Sequence, residues 1–267
     1  EQPVALSRLL DQEPSRSMTG LELHNFDRIV LTGMGGSHYG TYPAWLTLIE
    51  AGVQAWWIET GELLHSAPRL LNGRTLLWLT SQSGHSAEVV ALLGARNPDV
   101  RVLAVTNDLT SPLAQGATWV VNLAAGQELS VSTKTYVNTL AVADQIVRRL
   151  LRLPDSRPAI EDAARSLEKF LTDDWDYNLA DIRRCFVDHG SIVALARGRD
   201  LHAAWTGALI IKETAKWPAE GMSSAQFRHG PLELAGPDLT VMLVGGRPSV
   251  VGLNQSLASD LVGYGAN

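Results

Sequence analysis

The sequence predicts an α/β protein built from two tandem doubly wound parallel-sheet domains of flavodoxin-like order, the second incomplete, and three observations carry that prediction. Short apolar runs without polar alternation recur through the first half, which is how strands buried on both faces read. Segments with helical spacing separate them, as crossovers between parallel strands require. An opening of strand, glycine turn and helix at Ile29 returns at Ile192, an offset of 163 positions with low identity, so what repeats is architecture.

The elements follow in order. Residues 1–25 read as an N-terminal helical segment, and residues 26–153 as the first domain. Its strands are RIVLTG (28–33), QAWWIE (54–59), TLLWLT (75–80), RVLAVT (101–106) and TWVVNL (118–123). Between them PAWLTLIEAG, ELLHSAPRLL, AEVVALLGA and SPLAQGA carry helical spacing, and TYVNTLAVADQIVRRLLRL closes the domain as a helix. A polar, proline-bearing connector with its own helix spans 154–184. The second domain, 185–267, begins with SIVALARGRDLHAAWTGALIIKE (191–213) as strand, turn and helix. After TVMLVGG (240–246) a single helix-like stretch, SVVGLNQSLASDLVG, follows, so this domain is expected to hold two fewer strands than the first.

Composition narrows the function. With 267 residues, 45% hydrophobic and 19% charged, the chain has the make-up of a globular protein able to bury sizeable cores. A net charge of −6 argues against nucleic acid or an anionic membrane as partner, since both call for a basic surface, so any anionic ligand has to be held by local geometry. The one cysteine, Cys185, can form neither an internal disulfide nor a thiolate metal cluster, and fits a reducing, cytoplasmic setting. No run approaches the roughly 18 apolar residues of a membrane span, and EQPVALSRLL lacks the basic start of a signal peptide.

Four constellations are candidates for chemistry. In LLWLTSQSGHSAEVVALL (76–93), Ser81, Gln82, Ser83 and Gly84 form the turn leaving a parallel strand, and Ser86 opens the next helix with Glu88 behind it. Ligands of open α/β sheets bind at that end, where helix amides and serine hydroxyls hold a phosphate without net positive charge. The competing reading is a serine-rich turn with a capping Ser86. Gly33-Met34-Gly35-Gly36-Ser37-His38 with Glu59 partly resembles a dinucleotide fingerprint, but its third glycine falls at His38; Gly36 and Ser37 serve equally as a second anion contact. In GQELSVSTKTYVNT (126–139), Ser132 and Thr133 are candidate helix caps, and Lys134 in the first turn opposes the helix dipole, which points to a ligand, a partner acid or plain solvation. In KETAKWPAEGMSSAQFRHGPLEL, Glu213, if buried, and His229, in a turn set by Gly230 and Pro231, would make an acid–base pair; a surface glutamate and a capping histidine are the alternative.

Taken together, EQP, GMGGSHYG, LTSQSGHSAE, ELSVSTKTY, GALIIKE and QFRHGPLEL resemble the sugar isomerase (SIS) domain family, in the tandem form of the isomerase half of glutamine:fructose-6-phosphate amidotransferase and related phosphosugar isomerases and deaminases. The resemblance implies that Ser81, Gln82, Ser83 and Ser86 hold a sugar phosphate, helped by Gly36, Ser37 and Ser132. It implies that Glu213 moves a proton between C1 and C2, and that His229 assists ring opening from the neighbouring subunit of a homodimer. The chemistry passes through a cis-enediol and asks for no metal or organic cofactor. A non-catalytic sugar-phosphate sensor is the alternative from another class. This chain departs from the family at His85, often acidic there, at Thr206 and Ile210, where the amidotransferase helix has a glutamate and a lysine, and at Gln226, a frequent glutamate. It contains no glutaminase domain, and the family's C-terminal catalytic lysine would fall beyond Asn267.

Overall fold

The computed structural model describes residues 1–12, 18–173, 179, 183, 190–245 and 248–266. These divide into two compact units, Glu1–Glu168 and Lys169–Asn267. Cys185 and most of the expected connector beyond Asp173 lie outside the described residues.

The first unit holds five parallel strands, β1 (Arg28–Gly33), β2 (Ala55–Trp57), β3 (Thr75–Thr80), β4 (Arg101–Thr106) and β5 (Trp119–Asn122), in the order β2-β1-β3-β4-β5. Every residue of β3 is buried, as expected for a central strand covered on both faces. Strand periodicity divides the apolar residues between two cores. Ile29, Leu31, Leu76, Trp78, Leu103, Val105 and Val121 face one, with α1 (Gln2–Leu10), α3 (Tyr42–Glu50) and α7 (Lys134–Leu151) packed against it. Val30, Leu77, Leu79, Val102 and Ala104 face the other, covered by α4 (Thr60–His65), α5 (Ala87–Ala95) and α6 (Pro112–Gln115). The sheet is therefore doubly wound. A short α2 (Gly35–Tyr39) follows β1 directly, and α8 (Arg157–Asp173) carries the chain across the boundary between units.

Side chains lock this frame at particular points. Asn138, fully buried on α7, donates from Nδ2 to the carbonyls of Ala5 (3.0 Å) and Leu123 (2.8 Å), joining α1 and the end of β5 to α7. Buried amides held this way restrict the register of the helices they join. Helix α7 stops where Arg152 adopts φ 55°, a left-handed cap that ordinarily favours glycine.

In the second unit three parallel strands are described, β6 (Ser191–Ala196), β7 (Ala219–Ser223) and β8 (Leu239–Leu243), in the order β7-β6-β8. That order repeats β2-β1-β3 of the first sheet, and three strands against five matches the expected deficit. Val193 and Leu195 pack with Phe227 of α10 (Ser224–Phe227) and Leu257 and Leu261 of α11 (Pro248–Gly263), whereas Ile192 packs on the opposite face with Ala208 of α9 (Leu201–Ala215). Sequence periodicity misses β7, because AEGMS has neither alternation nor β-branched residues. Its one signal is Gly221: a Cβ there would lie 2.5 Å from the Ala204 carbonyl, so only glycine lets the strand approach the α9 backbone.

Candidate functional site

All five strands of the first sheet run in one direction, so the turns that leave them gather at one edge. Gly33 ending β1 pairs with Thr80 ending β3, and Thr106 ending β4 pairs with Asn122 ending β5. The order reverses between β1 and β3, and at such a switch point the helices that follow leave toward opposite faces and open a crevice. The two turns beside it are those containing Gly36-Ser37 and Ser81–Ser86.

The serine turn is tightly specified. Ser81 is buried, its N–H bonded to the Val105 carbonyl at 3.0 Å, and its Oγ accepts from Gly84 N–H at 3.1 Å. The Gln82 carbonyl accepts from Asn107 N–H (3.0 Å) and Thr106 Oγ1 (3.2 Å), which leaves the Gln82 side chain out of the scaffold. Gly84 takes φ 66°, and a Cβ there would lie 2.2 Å from Ser111 Oγ, so both backbone and space demand glycine. Ser83 Oγ accepts from His85 N–H at 3.2 Å. Ser86 is the residue before α5, at φ −55° and ψ 138° and with no side-chain capping bond, so its hydroxyl is not spent on the helix. Hence the capping alternative for Ser86 does not hold, and the first turn of a nine-residue helix stands open beside three serines.

Across the switch point, Gly35 at φ 51° turns the chain out of β1, and Gly36 and Ser37 stand half-buried in the first turn of α2. A Cβ on Gly33 would meet the Thr80 carbonyl at 2.8 Å, which shows how closely the two strand ends approach. The dinucleotide reading is corrected here. His38 is buried against Trp57, with ring centroids 3.7 Å apart, and Glu59 caps α4 through Gly61 N–H (2.9 Å) and Glu62 N–H (3.3 Å), so neither is shaped for a pyrophosphate or a ribose. Burial lowers the His38 pKa to about 3, keeping the imidazole neutral.

Ser132 lies half-buried in the loop between β5 and α7; the cap position belongs to Thr133, which makes no side-chain capping bond. Glu128 meets the start of α7 instead, accepting from Thr135 N–H at 2.8 Å. Lys134 finds a partner acid: Nζ lies 2.8 Å from Glu1 Oε2 and donates to the Gln127 carbonyl at 2.7 Å. A cavity of ≈ 420 Å³ borders this pair, lined by Ala5, Arg8, Gly126 and Leu129 among others.

Glu213 and His229 are placed in the second unit. Glu213 is exposed in the last turn of α9, so the burial that the acid–base reading assumed is absent within this chain. His229, also exposed, closes a turn through its N–H to the Gln226 carbonyl at 2.9 Å, just before Gly230 at φ 131°. Its neighbour Arg228 is anchored to Asp260 Oδ2 (2.7 Å) and Ser256 Oγ (3.2 Å) of α11. Of the departures, Thr206 is buried with its hydroxyl unpartnered, and His85 Nε2 contacts Asp108 Oδ2 at 3.1 Å. Asp108, Asn107 and Ser111 were not singled out from sequence; only the register of β4 beside β3 brings them to the turn. Among the described residues, no group of three or more His, Cys, Asp or Glu side chains could hold a metal ion, and no helix is long and apolar enough to cross a membrane.

Residues 22–149 match the SIS domain family. This stretch is a SIS domain. The chain is 30% identical over 241 residues to a glutamine–fructose-6-phosphate aminotransferase [isomerizing] of Pyrococcus horikoshii, an alignment covering 88% of this chain and 40% of that protein. It thus spans about 40% of the length of the curated relatives it matches. A provisionally assigned phosphosugar isomerase from Silicibacter pomeroyi, 27% identical, superposes with a TM-score of 0.85 over 100% of this chain and 82% of that one. The tagatose-6-phosphate ketose/aldose isomerase of Escherichia coli shares the fold at a TM-score of 0.78 and 24% identity, over 98% of this chain and 76% of that one. The SIS domain of this chain contains both turns at the switch point.

Proposed function

We propose that the protein is a phosphosugar isomerase or isomerising deaminase acting on a hexose or amino-hexose 6-phosphate through an enediol or enediolamine. The observation that carries this reading is the Ser81–Ser86 turn: three serines, the open first turn of α5 and a glycine that admits no other residue, at the switch point of a SIS domain. Ser81, Gln82, Ser83 and Ser86, with Gly36, Ser37 and Ser132, bind the phosphate through hydroxyl and amide donors. The phosphate anchors the sugar remotely and lends its binding energy to positioning the reacting carbons.

Glu213 then shuttles a proton between C1 and C2 while His229, from the neighbouring subunit of a cytoplasmic homodimer, assists ring opening. Neither step draws on a metal or organic cofactor. In this reading residues 26–153 and 185–267 are tandem SIS domains, with 1–25 an N-terminal helical segment and 154–184 a connector; the shared strand order of the two sheets supports it. The exposure of Glu213 and the presence of Thr206 and Ile210 on α9 favour a second reading, a sugar-phosphate sensor without catalysis.

Proton NMR of fructose 6-phosphate, glucose 6-phosphate and glucosamine 6-phosphate in D₂O separates the two. Deuterium entering at C1 or C2 with the native chain, and not with Glu213→Gln, is the expected result. Binding of these sugars with no exchange would replace the enzyme by the sensor.

A further inference from the structure

We propose that His85 is an additional phosphate-binding residue of the serine turn, oriented by Asp108 and active only when its imidazole is protonated; this rests on reading Ser81–Ser86 as the phosphate site. The turn SQSGHS contains one basic side chain, His85. Its N–H is tied to Ser83 Oγ at 3.2 Å, and its Nε2 lies 3.1 Å from Asp108 Oδ2 in the loop after β4. With 56% of its side chain exposed, the ring is open to a ligand arriving at the turn.

Asp108 is itself held in place. Its Oδ1 accepts from Thr110 Oγ1 at 2.7 Å and Thr110 N–H at 2.8 Å, and these bonds, with that from His85, keep its carboxyl below the usual range and hence ionised. An ionised carboxylate only accepts, so Nε2 carries the proton of the contact in either charge state of the ring. Titration therefore changes Nδ1 alone. At Nδ1 neutral His85 presents a lone pair, which repels a phosphate oxygen, whereas protonated His85 presents a charge-assisted donor.

Among the described residues, the elements flanking the turn carry two acids near it in sequence or register. Asp108 comes from the β4 loop and Glu88 from the first turn of α5, while α6, whose Leu113 N–H bonds the Gly84 carbonyl at 3.3 Å, has no charge in Pro112–Gln115. On a chain of net charge −6 such a cation compensates the ligand locally. A phosphomonoester then binds the protonated ring in preference to the neutral one, so the share of its affinity that depends on His85 grows as pH falls.

Isothermal titration of fructose 6-phosphate and glucosamine 6-phosphate, from about pH 5.5 to about pH 8.5, tests this with the full chain and with His85→Gln, Asp108→Asn and Ser83→Ala. Because the ligand's own second ionisation falls near pH 6, the quantity to read is the ratio of variant to native Kd at each pH. For His85→Gln that ratio is expected to be about three- to tenfold at the acid end and within about twofold at the alkaline end. Asp108→Asn, which removes the carboxylate that holds Nε2, is expected to bring the acid-end affinity toward that of His85→Gln. A ratio that does not vary with pH overturns the proposal. Binding unchanged in His85→Gln but lost in Ser83→Ala removes His85 and leaves the turn standing; no binding by the native chain at any pH removes the turn and His85 together.

Discussion

At the scale of single residues, the first unit spends its unusual groups on shape. His38 is the clearest case. It is 4% exposed, stacked on Trp57, and its Nδ1 has no hydrogen-bond partner, so protonating it in the folded state is costly. Its native pKa of about 3 lies below the value near 6.5 that the unfolded chain restores, so the unfolded state takes up the proton first as pH falls. Stability attributable to His38 is complete above about pH 6.5 and is lost progressively down to the folded pKa, with about 2 kcal/mol gone by about pH 5. Urea denaturation of native protein and His38→Phe should show it: the native chain weakens over that interval more than the variant, which keeps the ring contact and lacks the titration. Equal acid slopes would mean that His38 is not buried neutral.

Among the elements, the helix starts differ in whether a side chain closes them. Helix α4 is closed by the Glu59 carboxylate, α6 by Ser111 Oγ, and α7 begins with Glu128 against Thr135 N–H. Helix α5 has no such side chain, although Ser86 stands at its cap; α3 behind Thr41 and α9 behind Asp200 lack one too, so what sets α5 apart is its place after β3 at the switch point. A missing cap leaves amide donors to water or ligand, and here they face the sheet edge where ligands of this architecture collect. Glu59→Ala is expected to cost about 1 kcal/mol in chemical denaturation, the worth of a cap, and to leave phosphosugar affinity unchanged. A large loss of affinity in that variant would return Glu59 to the ligand site. Serine in LTSQSGHSAE and glutamate in IETGE read alike as polar residues between strand and helix; which side chain bonds its own helix depends on backbone angles that sequence does not display.

For the whole molecule, catalysis in the proposed reading is a property of a pair of chains. Mixing Glu213→Gln with His229→Gln, each inactive by itself, should restore exchange at about a quarter of the native level. Half of the random dimers are then mixed, and each of those has one site with both residues intact. Restoration after unfolding and refolding the mixture, read by the same NMR exchange, would establish that the site is shared between subunits. No recovery, with dimers present by sedimentation, would place both groups in one chain.

Sequence by itself determined the fold class. Buried strands such as TLLWLT read as unbroken apolar runs, and the strand–turn–helix openings at Ile29 and Ile192 show the repeat, because burial on two faces and crossover helices impress themselves on local pattern. It also singled out the serine turn, since Gly84 and the neighbouring serines are contiguous. Only the tertiary structure decided what non-local contact assigns: Glu59 to a cap, His38 to a core, Lys134 to Glu1, and Asp108 to His85. It also supplied β7, whose place depends on Gly221 meeting α9 and not on any strand pattern of its own. A side chain's partner is set by the order of strands in the sheet, and that order couples residues too distant along the chain for any periodicity to record.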